Sequence, residues 1–497
     1  MYDMLIIGGG VNGAGIARDA AGRGLNVLLC EKGDLASATS SASSKLIHGG
    51  LRYLENYEFR LVRESLGERE ALLNIAPHII WPLRFVLPVD KGMRPAWMLR
   101  AGLFLYDNLA KRARLLGTRT LNLRDNLQGA PLQDRLTRGF EYSDCWADDA
   151  RLVVLNAVDA AERGADICPR TECVALTRAP QHWVATLRTE SGLRRDVHAR
   201  VVVNAAGPWV EEVLGQLGRK SNTRKLRLVK GSHIVTKKLF DGEHAYIFQS
   251  GDGRVIFAIP YERDFTLIGT TDVDWVPGQG EAKISPAETE YLCNAVSKYF
   301  SRSVRPSDVI WSYAGVRPLF NDQSDSASVV TRDYVFDLDD DGGTQAPILS
   351  IYGGKLTTFR KLAEAALERL RPALRASGPS WTASAPLPGG DLPQCDFESF
   401  YTSVSEKYTW LPDDLRLRIA RAYGSRIDRI IGSATSLGQL GHHFGAGLYE
   451  AEVNYLCTHE FAESADDILW RRTKLGLRMN MTQQADLQLW TAQRRAA

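Results

Sequence analysis

Residues 3–13 read DMLIIGGGVNG, and this stretch decides the first half of the fold. Met4–Ile7 reads as a short buried strand, and Gly8, Gly10 and Gly13 fit the spacing G-x-G-x-x-G. Small residues continue as a helix from about Asn12 to Arg23, and LNVLLCE (25–31) reads as the next strand. Strand, glycine turn, helix and strand in this order open a doubly wound parallel sheet that holds a dinucleotide. The first glycine makes the tight turn, the second admits a pyrophosphate close to the backbone, and the third packs helix on strand. The helix N-terminus supplies free N–H groups and a positive dipole end for the phosphates. Glu31 ends the second strand about 20 residues on, where a carboxylate accepts from ribose hydroxyls and repels a 2′-phosphate. The ligand is therefore FAD or NAD rather than NADP.

Two further glycine-punctuated stretches favour FAD. ARVVVNAAGPW (199–209) is a strand running into Gly207, and YGGKLTTFRKLAE (352–364) places Gly353 and Gly354 before a helix starting near Thr357. That helix N-terminus suits negative charge building on a reduced flavin. Three contact points far apart in sequence match a long, extended ligand. The hydroxyl-rich TSSASSKLIHGGLRYLE (39–55) follows Glu31, where the chain must run along pyrophosphate and ribityl groups. Its Ser and Thr hydroxyls bring no charge that repels phosphate, Lys45 is expected to offset phosphate charge, and Gly49 and Gly50 let the backbone pass close to the flavin.

The bulk numbers narrow the class. The 497 residues are 44% hydrophobic and 24% charged with a net charge of +2, which allows two or three globular domains and gives no global field for nucleic acid. Seven cysteines, an odd number without a CxxC pair, read as reduced thiols rather than a disulfide framework. No metal is expected. The chain enters its first strand at once, leaving no room for a signal peptide, and its longest apolar run near a candidate helix, AGLFLY, is far short of the ~20 residues of a membrane span.

Farther along, RVIFAIPY (254–261) and FTLIGTTDVDW (265–275) form a hairpin pattern, so an antiparallel sheet is expected there. In APILSIYGGKLTTFRKLAEAALERL (346–370), Phe359, Leu362, Ala363, Ala366, Leu367 and Leu370 fall on one helical face. SGPSWTASAPLPGGDLP (377–393) reads as a linker or boundary, and the rest is mostly helical. The expected organisation is a unit over 1–384, with cofactor parts near 1–75, 145–225 and 335–384 and substrate-side parts near 76–144 and 226–334. A C-terminal helical domain follows over 385–497.

GGGVNGAGIARDAAGRGLNVLLCEK (8–32), TSSASSKLIHGGLRYLE, GFEYSDCWADDARLV (139–153), KGSHIV (230–235), IGTTDV (268–273), GVRPL (315–319), TRDY (331–334) and YGGKLTTFRKLAE together resemble the FAD-dependent, aerobic (respiratory) glycerol-3-phosphate dehydrogenases. The blocks reach to about residue 370, and the helical C-terminal part is also similar. One departure is NAAG, where a Thr is usual at Ala206. The resemblance implies an α/β plus α fold: a Rossmann-type FAD-binding domain of the glycine-oxidase and amino-acid-oxidase kind, an antiparallel-sheet substrate domain and the C-terminal helical domain. It implies oxidation of sn-glycerol 3-phosphate to dihydroxyacetone phosphate, electrons passed to membrane quinone, and a peripheral place on the cytoplasmic face of the cell membrane. It leaves room for a homodimer and favours non-covalent FAD, although a His in such a loop carries covalent flavin in some related enzymes.

Such chemistry needs cations for a phosphate dianion and an acceptor for the hydroxyl proton. Arginine is the best phosphate ligand because its planar fork bonds in two places. The candidates are Arg52, Arg317 and Arg332, with Tyr53 and Thr270 as further substrate contacts. For the base, His233 is preferred and His48 competes, since imidazole titrates near working pH. Lys355 follows the glycine pair and can reach the ring edge. The cofactor contacts expected are Gly8, Gly10, Asn12, Gly13, Glu31 and Lys32 at the first turn; Thr39, Ser40, Ser41, Ser44, Lys45, Leu46, His48 and Gly49 in the polar loop; Cys173, Ala205, Gly207 and Trp209 beyond it; and Gly353, Gly354, Lys355, Leu356 and Thr357 at the last turn. The rival enzyme is an oxygen-using flavin oxidase of glycerol 3-phosphate or of an amino acid or amine; a single arginine usually handles the carboxylate of the latter substrates, so three candidate arginines argue for phosphate.

MRPAWMLRAGLFLYDNLAKRARLLG (93–117) mixes Trp97, Phe104 and Tyr106 with Arg94, Arg100, Lys111, Arg112 and Arg114. It reads either as an interfacial helix on anionic lipid or as a helix buried between domains with a basic edge. WRRTKLG (470–476) is either interface or solvated helix.

Overall fold

The first glycine turn closes as its spacing demands. In a computed structural model, the strand Tyr2–Ile7 ends at Gly8, whose φ of +112° is open only to glycine at low cost. A Cβ on Gly8 would lie 2.5 Å from the carbonyl oxygen of Ala205, and one on Gly13 would overlap the carbonyl of Gly8. The helix Val11–Gly22 follows, then the strand Val27–Cys30. The structure describes all residues except 92, 216–225, 251–252, 277, 279, 321–332, 375–377 and 497, and the side chains of 52, 55, 56 and 496.

Five parallel strands, Ile348–Tyr352, Arg194–Asn204, Tyr2–Ile7, Val27–Cys30 and Asp166–Cys168, lie in that order in an eight-stranded sheet. One face carries the helices Val11–Gly22, Asp149–Glu162 and Phe359–Leu370, and the six apolar residues expected on one side of the last helix are all buried. On the other face Leu5, Ile7 and Leu28 pack against Leu176, Trp183 and Leu187 of an antiparallel hairpin. Burial on both faces explains the unbroken apolar runs of the central strands.

A second sheet of ten strands is antiparallel except for one pair, Ala245–Gln249 beside Ile80–Pro88. The expected hairpin is present as Val255–Tyr261 paired with Phe265–Gly269. The polar loop also contributes to this sheet: Leu46 and Ile47 pair with Trp146 and Cys145. One short stretch thereby ties the cofactor side to the second sheet.

The C-terminal helices surround their own core, with Phe400, Ile419, Leu456, Ile468 and Leu487 inside. The Pro- and Gly-rich stretch before them is docked rather than loose over its described residues. Trp381 covers Gly22, its indole N–H donates to the carbonyl of Asp19 at 3.2 Å, and the N–H of Leu387 donates to the carbonyl of Ile75 at 2.8 Å. WRRTKLG proves to be interface. Arg472 grips Asp34 with two bonds of 2.7 and 2.8 Å, both side chains fully buried, and Trp470 stacks on Trp311 with centroids 4.6 Å apart. Arg151 and Glu460 form a second buried pair across the same seam.

The segment over 93–117 is a shorter helix than its composition suggests, Ala96–Asn108. Leu103 and Tyr106 face inward, while Trp97 and Phe104 are 68% and 62% exposed. Arg112 and Arg114 lie beyond the helix, and Arg114 donates to the carbonyls of Gln394 and Cys395 at 2.7 Å each. Among the described residues, no helix is long and apolar enough to cross a membrane.

Candidate active site

The three glycine-punctuated stretches converge at one end of the parallel sheet. The Val11 N–H at the start of the first helix donates to Ser40 Oγ at 3.0 Å, which brings the polar loop to the helix N-terminus. Asn12 Nδ2 donates to the carbonyl of Gly353 at 3.1 Å, which brings in the last turn. Gly353 and Gly354 have φ of +77° and +101°, and a Cβ on Gly354 would lie 2.8 Å from the Asn12 side chain. His48 N–H donates to Thr357 Oγ1 at 3.2 Å, while Leu356 packs against the core beneath. The Gly49 N–H donates to Tyr106 Oη at 2.8 Å, and a Cβ at Gly49 would overlap Leu66.

Glu31 sits where the spacing puts it. Its Oε2 accepts from the Gly9 N–H at 2.7 Å and its Oε1 from the Gly33 N–H at 2.8 Å, and burial holds its carboxyl above the ordinary range. Its neighbour Lys32 places its ammonium 3.7 Å over the Trp209 ring, beside Ala205 and the positive-φ Gly207. Cys173 is buried at a bulge in the strand Thr171–Arg178, its thiol turned to the carbonyl of Ala175 at 3.6 Å. Close backbone approach at Gly8 and Gly13, a helix N-terminus beside them and the Glu31 carboxylate at the end of the second strand fit a dinucleotide.

Lys45 departs from its expected use. Its ammonium is fully buried, 2.8 Å from Asp149 Oδ1 and 3.1 Å from the carbonyl of Ser41. That charge is neutralised inside the fold, so it shapes the loop rather than facing a phosphate. Lys355 lies 4.1 Å over the Tyr53 ring. The side chain of Arg52 and the whole of Arg332 lie outside the described residues.

On the second sheet, the strand Leu226–Lys237 runs between Phe265–Gly269 and Val309–Phe320. Gly231 and His233 point to one face of it. Arg317 lies over Gly231, in space that a Cβ there would fill, and pairs with Asp272. Its second terminal nitrogen donates to Thr270 Oγ1 at 2.9 Å. His233 lies flat on Tyr313, ring centroids 4.8 Å apart, with Nε2 2.9 Å from Ser44 Oγ. Burial, then the charges of Arg317 and Lys45, push its imidazole well below the ordinary range and keep it neutral. Thr39 Oγ1 donates to the carbonyl of Val316 at 2.6 Å, so the polar loop spans from helix N-terminus to substrate-side strand.

Asp272, Gly231 and Tyr313 were not singled out from the sequence. Asp272 and Gly231 stand in IGTTDV and KGSHIV, so the blocks contained the signal; Tyr313 had none.

A family model described as "FAD dependent oxidoreductase" matches residues 3–350, and one described as "C-terminal domain of alpha-glycerophosphate oxidase" matches residues 380–488. The glycerol-3-phosphate dehydrogenase of Pseudomonas aeruginosa is 52% identical over 98% of this chain and 94% of its own. The chain belongs to the family of FAD-dependent glycerol-3-phosphate dehydrogenases. It is an FAD-dependent oxidoreductase, and its cofactor is FAD. The D-erythritol 1-phosphate dehydrogenase of Brucella abortus, also 52% identical over 98% of this chain and 97% of its own, stands in the same family. A solved glycerol-3-phosphate dehydrogenase from Bacillus halodurans, complexed with FAD, superposes with a TM-score of 0.79 at 28% identity, covering 99% of this chain and 90% of that one.

Proposed function

We propose that the protein oxidises sn-glycerol 3-phosphate to dihydroxyacetone phosphate and delivers the electrons to quinone at a membrane surface. The observation that supports this reading is that the Arg317 guanidinium, reaching across from the neighbouring strand Val309–Phe320, and the His233 imidazole lie on one face of the second sheet. Arg317 lies over Gly231, two residues from His233, so a fixed cation and a neutral imidazole stand about 7 Å apart along the strand. That spacing suits a short phosphorylated alcohol, with its phosphate on the guanidinium fork and its secondary hydroxyl on the imidazole side.

In this reading Arg317, aimed by Asp272 and Thr270, binds the phosphate. His233, neutral and stacked on Tyr313, takes the hydroxyl proton through a ring nitrogen, with Ser44 orienting the ring. Gly8, Gly10, Gly13, Glu31, Ser40, Thr357 and the Gly353–Gly354 turn hold the cofactor. The chemistry FAD supplies when bound is acceptance of the hydride from the carbinol carbon.

The membrane side is argued from exposed aromatics. Trp97 and Phe104 lie one above the other on the outer face of their helix, and Tyr57 and Phe59 are also exposed. The short helix Leu51–Asn56 runs from the glycine pair of the polar loop to Tyr57 and holds Tyr53 under Lys355. An apolar patch beside Arg94 and Lys111 suits peripheral binding to anionic lipid, here the cytoplasmic leaflet.

The similarity to a D-erythritol 1-phosphate dehydrogenase favours a second reading, a polyol phosphate one carbon longer at the same arginine. Anaerobic titration with each compound separates the two: the substrate bleaches the yellow flavin at the lower concentration. Adding a quinone analogue or oxygen then identifies the acceptor. A flavin that stays yellow with every polyol phosphate rejects the proposal.

A further inference from the structure

Glu288 stands at the start of the helix Pro286–Ser297, with Ser285 as N-cap. A helix cap asks one thing of this carboxylate, a bond back to the Ser285 N–H, and Oε2 makes it at 2.9 Å. The same oxygen also accepts from Ser285 Oγ at 2.9 Å and from the Lys230 ammonium at 2.8 Å. Oε1 is turned the other way. It accepts from Ser232 Oγ and from Thr271 Oγ1, both at 2.8 Å. Both of those partners are buried, and Thr271 Oγ1 in turn accepts from the Ser232 N–H at 2.9 Å.

These partners interleave with the candidate site. Along Leu226–Lys237, Lys230 and Ser232 point to the Glu288 side, while Gly231 and His233 point to the site. In the turn after Gly269, Thr271 bonds Glu288, while Thr270 and Asp272 bond Arg317. One carboxylate therefore clamps the reverse side of both segments that aim the arginine. Its helix is itself fixed in the core by Leu292, Cys293 and Val296. Burial opposes its charge, but the Lys230, Ser285, Thr271 and Ser232 donors prevail and hold its carboxyl down to about 2.

We infer that Glu288 is a positioning residue for substrate binding: it holds Thr271 and Ser232 so that Thr270, Asp272 and Gly231 present Arg317 in its phosphate-binding orientation. This rests on the reading of Arg317 as the phosphate ligand. An amide is a poor replacement for the carboxylate: the Ser285 N–H and the Lys230 ammonium can only donate, the Ser232 and Thr271 hydroxyls would have to turn round to accept from a carboxamide NH2, and the charge that pairs with Lys230 is lost.

The test uses the FAD-loaded enzyme with Glu288→Gln, Thr271→Val and Thr271→Ser. Losing a hydrogen bond to a charged group costs tenfold or more in what it positions, by about 1.5–3 kcal/mol per bond. Glu288→Gln and Thr271→Val are expected to raise KM for glycerol 3-phosphate about tenfold with kcat within about threefold, and Thr271→Ser, which keeps the hydroxyl, to restore KM. In an Arg317→Ala background Glu288→Gln should add no further rise in KM. Variants with normal FAD content and unchanged KM, or a loss confined to kcat, would overturn the inference. If Glu288→Gln does not fold, the Val and Ser pair at Thr271 decides it. If the wild type never reduces its flavin with glycerol 3-phosphate, the substrate reading alone fails. The variants are then titrated with inorganic phosphate against the flavin absorbance: weaker binding in Glu288→Gln supports the positioning role, and equal binding overturns it.

Discussion

Arg317 pairs with Asp272 across 45 residues of sequence and donates to Thr270 Oγ1 from its other terminal nitrogen, so its fork is fixed before any substrate arrives. Arg317→Ala should raise KM by about 10²-fold or more with a smaller effect on kcat, since a charge-assisted, two-point contact is lost from ground and transition state alike. Arg317→Lys should recover little, because a lysine cannot bond Asp272, Thr270 and a phosphate in one plane. Steady-state kinetics on FAD-loaded protein checks both; unchanged KM removes Arg317 from the site.

His233→Ala should lower the rate of flavin reduction by about 10²–10⁴-fold while FAD stays bound. Because the imidazole is held neutral well below its ordinary range, the rate should not show an acid limb at the usual histidine pH of about 6.5. Stopped-flow reduction across pH 5–9 measures both. A normal rate in His233→Ala transfers the role to His48.

Trp97→Glu with Phe104→Glu should release the protein from anionic vesicles without changing reduction of its flavin by substrate. These positions test the surface better than Arg114, whose replacement would also break its bonds to the carbonyls of Gln394 and Cys395. Undiminished sedimentation with vesicles would point to another surface.

Asp34→Ala leaves the Arg472 guanidinium buried without its carboxylate, and Arg471 loses its 2.5 Å partner as well. The expected cost is about 3–5 kcal/mol, read as a lower Tm in thermal unfolding. Replacing Asp34 and Arg472 together with apolar residues should recover much of it.

His78 is fully buried, and its imidazole is pushed down to about 3 by burial and by the charges of Arg151, Arg421 and Arg426. The unfolded chain therefore binds a proton here that the folded one refuses between pH 6.5 and about 3. Stability from this residue is complete above pH 6.5 and is lost as pH falls through that window. Chemical denaturation at several pH values should show this slope, and His78→Gln should flatten it.

The dinucleotide half was legible because it is local. Strand, Gly8-x-Gly10-x-x-Gly13, helix and Glu31 lie within one contiguous βαβ unit, so spacing alone dictates their meeting. The apolar face of Phe359–Leu370 was legible for the same reason, since a helical period needs no partner to be read. The substrate side was legible only as separate blocks. Lys45 was misread because a lysine in a polar loop gives no sign that Asp149 will meet it, and the linker over 377–393 gave none that Trp381 would seal Gly22.

By itself, the sequence determined a dinucleotide-binding βαβ unit, an antiparallel second sheet and a helical C-terminal part, because each follows from local period, turn chemistry or short spacing. Tertiary structure alone decided which cations stand on the substrate-side sheet and which are buried elsewhere in the fold. Strand pairing put Arg317 over Gly231 beside Asp272, aligned His233 with Tyr313 and Ser44, and buried Glu288 behind all of them. Those contacts join residues tens to hundreds of positions apart, and their energies depend on burial and register, which no single stretch of sequence carries.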